Sequence, residues 1–320
     1  MTASDADIDH AVEVLRRGGL VGMPTETVYG LAADASSDAA IRRIYEAKGR
    51  PSGHPVIVHV GAADLIDGWA VDVPPAARRL GEALWPGPLT LVLPRGPLAS
   101  PLVSGGRDSV GIRVPDHPVA LAVLERFAGA VGAPSANRFG RVSPTTAADV
   151  VDDLGDRVDV VLDGGASVVG VESTIVSFVG APTLLRPGGV PVELIESILG
   201  GPLASAAADD RSAPGTLPSH YAPDARVELV EADEVADRCR TLLGTGSSVG
   251  ALVRDDVEVP DAVVRLSSSV DEAEAARTLY ARLREADRLG LDVLVAARPD
   301  LTGLGRAIAD RLRRAAHRDR

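Results

Sequence analysis

A chain of 320 residues has room for about two domains, and with 45% apolar but only 3% aromatic residues its cores must be built from Val, Leu, Ile and Ala. The formal charge of −12 repels polyanions and argues against stable nonspecific RNA or DNA binding, though it leaves room for a local basic cleft. No run approaches the ~18 apolar residues of a membrane span, the start MTASDADIDH is acidic where a secretory signal is basic, and the single Cys239 excludes an internal disulfide or thiolate zinc cluster, so a cytoplasmic protein is expected.

In chain order, IDHAVEVLRRGG carries Ile8, Ala11, Val12 and Leu15 as a helical stripe that ends at Gly18-Gly19. LVGM then predicts a strand leading into the turn PTETVYG. SSDAAIRRIYEAKGRP opens on cap-type residues, places Ile41, Ile44 and Tyr45 on one face, and stops at Gly49 and Pro51. HPVIVHV, LTLVLP, SVGIRVP, AVGAPS, VDVVLDGG and ESTIVSF read as strands, and PVALAVLERFAG, TTAADVVDDLG and VELIESILG as helices. Residues 201–224 have no apolar period and are rich in Ala, Pro, Ser and Asp, which marks a linker. Beyond it, strands RVELVEA, SVGALVRD, AVVRLSS and LDVLVAA alternate with three helical stretches, the pattern of a small α/β sheet with helices on its faces. Cys239 falls on one of those helices and reads as a small packing residue.

Absent motifs narrow the chemistry. There is no GxxxxGK[ST], and the GTGSSVG at 244–250 follows a helix where a dinucleotide fingerprint follows a strand. No HExxH occurs, and His54 and His59 lie five apart across a proline, poor spacing for a metal pair. What remains is a set of hydroxyls, amides and cations near strand ends. Lys48, the only lysine in the chain, and Arg50 flank a helix end; they read either as a dipole cap or as a grip on a polyphosphate. Arg113 interrupts the apolar strand GIRV, pointing either to solvent or inward toward an anion such as a carboxylate. Ser135 and Asn137 in GAPSANRFG suit either a close ligand contact or a capped turn. Arg186, before a Pro-Gly turn, reads as a solvated turn residue. Such a set favours binding and positioning anions over covalent catalysis.

Taken together, MPTETVYGLAADA, AKGRPSGHPVIVHV, WPGPLTLVLP, VGIRVPDHP, GAPSANRFGRVSPT, GVESTIVSF, LLRPGG and HYAP resemble, in this order, the threonylcarbamoyl-AMP synthase family in its long form. The likeness spans most of residues 7 to 200 and the HYAP end of the linker, with a weaker GLGRAIADRLRRAA in the tail. It implies an open twisted mixed α/β sheet domain with a central cleft over residues 1–200, a linker and lid over 201–224, and a smaller Rossmann-like α/β accessory domain over 225–320. The implied reaction joins L-threonine, bicarbonate or CO2 and ATP into threonylcarbamoyl-AMP and pyrophosphate, with Mg2+ accompanying ATP. A partner transferase then uses the product to make N6-threonylcarbamoyladenosine in tRNA.

By the same resemblance, Lys48, Arg50, Ser109, Ser135, Asn137, Arg186 and Tyr221 serve ATP, and Thr25, His59, Arg113 and Ser173 surround the threonine. The turn Thr25-Glu26-Thr27 then touches the amino acid and its new carboxylate, and the linker shields a hydrolysis-prone product. Where the family's linker usually reads PGMKYRHYAP, this chain reads PGTLPSHYAP and lacks both basic residues; His54 stands where asparagine is common. Two other readings are weighed. One is an RNA-binding or ribosome-maturation module without catalysis, which the charge and the lack of an aromatic-basic stripe oppose. The other is the carbamoyl-adenylate enzyme of hydrogenase maturation, whose additional acylphosphatase-like and zinc-finger segments are missing from this sequence.

Overall fold

The computed structural model describes residues 3–206 and 221–317, and most of the expected lid, 207–220, lies outside the described residues. These divide into two units, one of residues 3–139, 143–168 and 172–206, the other of residues 140–142, 169–171 and 221–317.

In the N-terminal unit, α1 (Asp5–Arg16) starts at Ser4, which exchanges side-chain and backbone hydrogen bonds with Asp7 in a capping box. Strands β1 (Val21–Met23) and β2 (Gly30–Asp34) follow. α2 (Asp38–Lys48) is capped by Ser37 and stopped by Gly49, whose φ of 62° is the left-handed conformation that glycine adopts without strain. Then come β3 (Val58–His59), α3 (Pro75–Leu84), β4 (Leu89–Pro94), β5 (Ser109–Arg113), α4 (Pro118–Phe127), β6 (Val131–Gly132), α5 (Ala147–Leu154), β7 (Val160–Val161), β8 (Thr174–Ser177), β9 (Thr183–Arg186), α6 (Val192–Leu199) and β10 (Ala204–Ser205). They form one mixed sheet in the order β10-β9-β8-β4-β5-β3-β6-β2-β1-β7.

Side-chain alternation sorts the two faces of this sheet. Val58, Ile112, Leu91 and Val176 are register partners across β3, β5, β4 and β8, and all four are buried in the large core. On the opposite face, Val21, Met23, Ala32 and Val131 pack with α1 and α4 over β1, β2 and β6. The same face continues across β3, β5, β4, β8 and β9, but there it carries His59 opposite Arg113, Gly111 opposite Val92, and Ile175 opposite both Thr90 and Arg186. Its apolar part is the small cluster Ile57, Val92, Ile175 and Leu185, on which Ala206 packs. This half of the face therefore mixes His59, Arg113, Thr90 and Arg186 with that apolar cluster.

The C-terminal unit holds β11 (Arg226–Val230), α7 (Val235–Leu243), β12 (Val249–Arg254), β13 (Val264–Ser268), α8 (Glu272–Arg288), β14 (Val293–Ala297) and α9 (Gly305–Ala316). All its strands are parallel, in the order β11-β14-β12-β13. α7 packs Val235, Cys239 and Leu242 onto Ala251, Val253, Val293 and Val295 on one face, while α8 lies on β13 and α9 on β11. The expected Rossmann-like architecture is what this alternation builds.

Candidate active site

Arg113 closes β5 with its side chain turned inward, so of the two orientations open to the sequence the structure adopts the buried one. Its Nη2 lies 2.7 Å from Glu26 Oε1, and both side chains are about 5% exposed. The contact is electrostatic and poorly aligned: neither Glu26 oxygen nor Arg113 Nη2 makes a hydrogen bond among the described residues. Arg113 Nε donates to the Gly87 carbonyl at 3.3 Å. His59, its register partner on β3, is also buried. Burial, reinforced by the Arg113 charge, pushes the imidazole pKa down to about 3, so the ring is neutral. Its Nδ1 sits 3.2 Å from the Ile57 carbonyl oxygen. Because a carbonyl only accepts, Nδ1 holds the proton and Nε2 is left as an acceptor.

Ser173 precedes β8, which pairs with β4 on the side away from β5. Its Oγ is 2.8 Å from Thr90 Oγ1, and Arg186 Nη2 donates to the Ser173 carbonyl at 2.8 Å and to its hydroxyl at 3.3 Å. Arg186 is buried, which corrects its reading as a solvated turn residue: the end of β9 lies against the start of β8, and the guanidinium reaches back over the strand pair. Gly188, in the turn after it, packs so closely on the Glu172–Thr174 backbone that no Cβ fits. Glu172 accepts a hydrogen bond from Ser143 at 2.6 Å.

The turn after β1 is wholly buried. Thr25 Oγ1 donates to the Val28 carbonyl at 2.6 Å and lies 2.9 Å from Thr27 Oγ1. With its proton committed to Val28, the Thr25 hydroxyl accepts from Thr27 Oγ1 and, at 3.3 Å, from the Thr27 and Val28 N–H groups, so it holds the turn in shape. Ser167 pins the turn from outside by donating to the Thr25 carbonyl at 2.9 Å.

Lys48 and the Ser135-Ala136-Asn137 loop are tied together. The buried Lys48 ammonium donates to the carbonyls of both Ser135 and Asn137. Burial, with Arg50 nearby, holds the Lys48 pKa well below the ordinary lysine range. The Lys48 carbonyl accepts from Phe139 N–H at 2.8 Å, Arg50 donates to the Pro55 carbonyl at 2.9 Å, and the Arg50 guanidinium lies 5.8 Å from the Phe139 ring centroid. Lys48 and Arg50 are thus buried members of a laced loop pair, which goes beyond an exposed dipole cap.

These contacts give three sets of predicted residues: His59 with its register partner Arg113, Ser173 with Arg186, and Lys48 with Ser135 and Asn137. Ser109 begins β5 on the same face as Arg113, about 13 Å along the strand. Tyr221 belongs to the C-terminal unit, where its ring stacks on Tyr280 at 5.7 Å and lies 5.1 Å from the Arg311 guanidinium. Glu26 was expected only as part of the turn Thr25-Glu26-Thr27, with no role of its own, although a buried arginine's need for an anion pointed to it; Thr90 escaped prediction and carried no signal beyond its alternation in LTLVLP.

Residues 13–188 match the family model described as "Telomere recombination", that of Sua5, YciO and YrdC, and residues 190–317 match the model for "Threonylcarbamoyl-AMP synthase, C-terminal domain". Threonylcarbamoyl-AMP synthase of Pyrococcus abyssi is 39% identical over 317 residues, 95% of this chain and 92% of its own length. The Bacillus subtilis protein of the same name is 38% identical over 327 residues, 99% of this chain and 94% of its own. The crystal structure of P. abyssi Sua5 complexed with L-threonine superposes with a TM-score of 0.91 at 38% identity, covering 97% of this chain and 94% of that one.

Proposed function

The chain belongs to the threonylcarbamoyl-AMP synthase family, and from that premise we propose how its N-terminal unit, residues 1–200 in this reading, carries out the reaction. L-threonine, bicarbonate or CO2, and ATP give threonylcarbamoyl-AMP and pyrophosphate for threonylcarbamoyladenosine synthesis in tRNA. Arg113 takes the threonine carboxylate. The observation that carries this is the Glu26–Arg113 pair, a buried cation held by a carboxylate without an aligned hydrogen bond. A substrate carboxylate meeting the guanidinium as a fork supplies the alignment that Glu26 lacks.

Around it, His59 Nε2 accepts from the threonine hydroxyl or amine, and Thr25 and Ser173 close the amino-acid pocket. The threonine nitrogen, once carboxylated, presents a carbamate oxygen that attacks the α-phosphate of ATP; the α–β bridging oxygen leaves with pyrophosphate. Lys48 and Arg50 neutralise charge on the phosphates. Two of the three Lys48 protons are engaged by loop carbonyls, so one remains for a phosphate while the other two hold Ser135 and Asn137 beside the nucleotide. Ser109 and Arg186 complete the ATP contacts. Catalysis on this reading is positioning and charge neutralisation.

Mg2+ enters with ATP as part of the substrate: among the described residues no cluster of three His, Cys, Asp or Glu could hold it. Residues 201–224, with Tyr221, form the lid in this reading, and Tyr221 contacts ATP. Residues 225–320 are the accessory domain, a transferase receives the product, and the setting is the cytoplasm; among the described residues no helix is long and apolar enough to cross a membrane.

The test is labelled bicarbonate. Label should enter an adenylate-linked product only when threonine and Mg-ATP are both present, and incorporation without threonine would overturn the reading.

A further inference from the structure

The carboxyl ends of the C-terminal strands carry a cavity that the synthase reaction does not use. In the order β11-β14-β12-β13, the chain leaves β12 toward β13 on one side, while from β14 it turns the other way into α9, which packs on β11. The connections from the two central strands diverge, and in open parallel sheets the crevice outside such a divergence is where ligands bind. Here the crevice is real: a cavity of about 440 Å3 opens at this point, within the range of small-molecule sites. Leu252, Leu279 and Ile308 supply apolar wall, and Arg254, Arg282 and Arg298 supply charge.

Two of those arginines come from the ends of neighbouring strands. Leu252 and Ala296 are the last register pair of β12 and β14, and Arg254 and Arg298, each two residues further on, both line the cavity. Each is held by a carboxylate at the rim. Arg254 meets Asp256 through two bonds of 3.1 and 2.6 Å, and Arg298 Nε lies 3.0 Å from Glu231. All four side chains are more than half exposed, and exposed pairs of this kind contribute little and are readily exchanged. Arg282 comes from α8, fixed by the Ser267 carbonyl at 3.2 Å and by Glu285 at 2.7 Å.

The same lining includes Glu231, Asp256, Glu272 and Asp300. Glu272 is committed to the backbone, accepting from Leu304 N–H at 3.1 Å. With four carboxylates against three arginines, a chain of phosphates is repelled; a single phosphoryl group that displaces the half-exposed Asp256 and Glu231 from the guanidinium forks, on a body that covers the aliphatic walls, is the anion the lining accommodates. We propose that this cavity is a second ligand site, for a small monophosphorylated molecule of nucleoside monophosphate size. It is separate from the ATP and threonine residues of the N-terminal unit.

The probe is 8-azido-AMP, photolysed with the full chain and mapped by peptide sequencing. Labelling is expected on peptides spanning 252–258 and 298–312. The variant Arg254→Gln/Arg298→Gln should lose about tenfold or more of that labelling, the scale of a lost bidentate charge-assisted contact, with label in the N-terminal unit and the melting temperature unchanged. Label confined to the N-terminal unit, or C-terminal label indifferent to the two substitutions, would overturn the proposal.

Discussion

Arg113 shows what a single residue disclosed. A guanidinium between Ile112 and Val114 in an apolar strand had to face solvent or an anion, and the sequence left both open. The structure turns it inward onto Glu26. Removing one partner of such a pair strands a buried charge, so Arg113→Ala should lower stability by ~3–5 kcal/mol. It should also weaken threonine binding by ~2–5 kcal/mol while leaving ATP affinity nearly unchanged. Combining it with Glu26→Gln separates the two effects. The double variant should recover much of the melting temperature and none of the threonine affinity, measured by thermal unfolding and calorimetric titration; equal loss of both ligands in the single variant contradicts the carboxylate assignment.

His59 makes a residue-scale claim about pH. Its pKa lies at about 3 in the folded protein, below the ordinary 6.5 that the unfolded chain retains. Between those values the unfolded state binds the proton, so the contribution of His59 to stability is complete above about pH 6.5 and is lost as pH falls toward 3, at most ~5 kcal/mol. An NMR titration should show the His59 ring silent from pH 5 to 8. A midpoint near 6.5 would refute the buried neutral ring.

At the scale of elements, legibility followed local chemistry. α2 was readable because Ser37, the stripe Ile41, Ile44 and Tyr45, and Gly49 agree on one helix. LTLVLP matched β4 to the residue. β2, GLAAD, lacks β-branched residues and is a strand only because β1 and β6 flank it. α3 begins at Pro74-Pro75 with no side-chain cap, and its amphipathic stripe is short. Arg186 was misread because β9, which aims it, went unseen between two turns. Lys48 and the Ser135–Asn137 loop were grouped through resemblance alone; that the lysine holds the loop by its carbonyls depends on a contact 87 residues away in sequence.

One element prediction follows from the turn behind Arg186. A methyl group at Gly188 meets the Glu172, Ser173 and Thr174 backbone, which has no flexible end to yield. Gly188→Ala should cost ~1–3 kcal/mol of stability and weaken threonine binding, since Ser173 must shift. Crystallography or calorimetry showing an undisturbed Ser173 and wild-type threonine affinity would count against this packing.

For the whole molecule, the charge of −12 sets the relation to nucleic acid. A tRNA titration at physiological salt should show no tight binding by the chain alone; tight binding would revive the reading of an RNA-binding module. The central claim is a synthase in which threonine and bicarbonate must both be present before ATP is cleaved. The most direct measurement is pyrophosphate release from Mg-ATP with L-threonine and bicarbonate each supplied or omitted. Release that requires both is the predicted result. Release with neither, or none under any condition from well-folded protein, would contradict it.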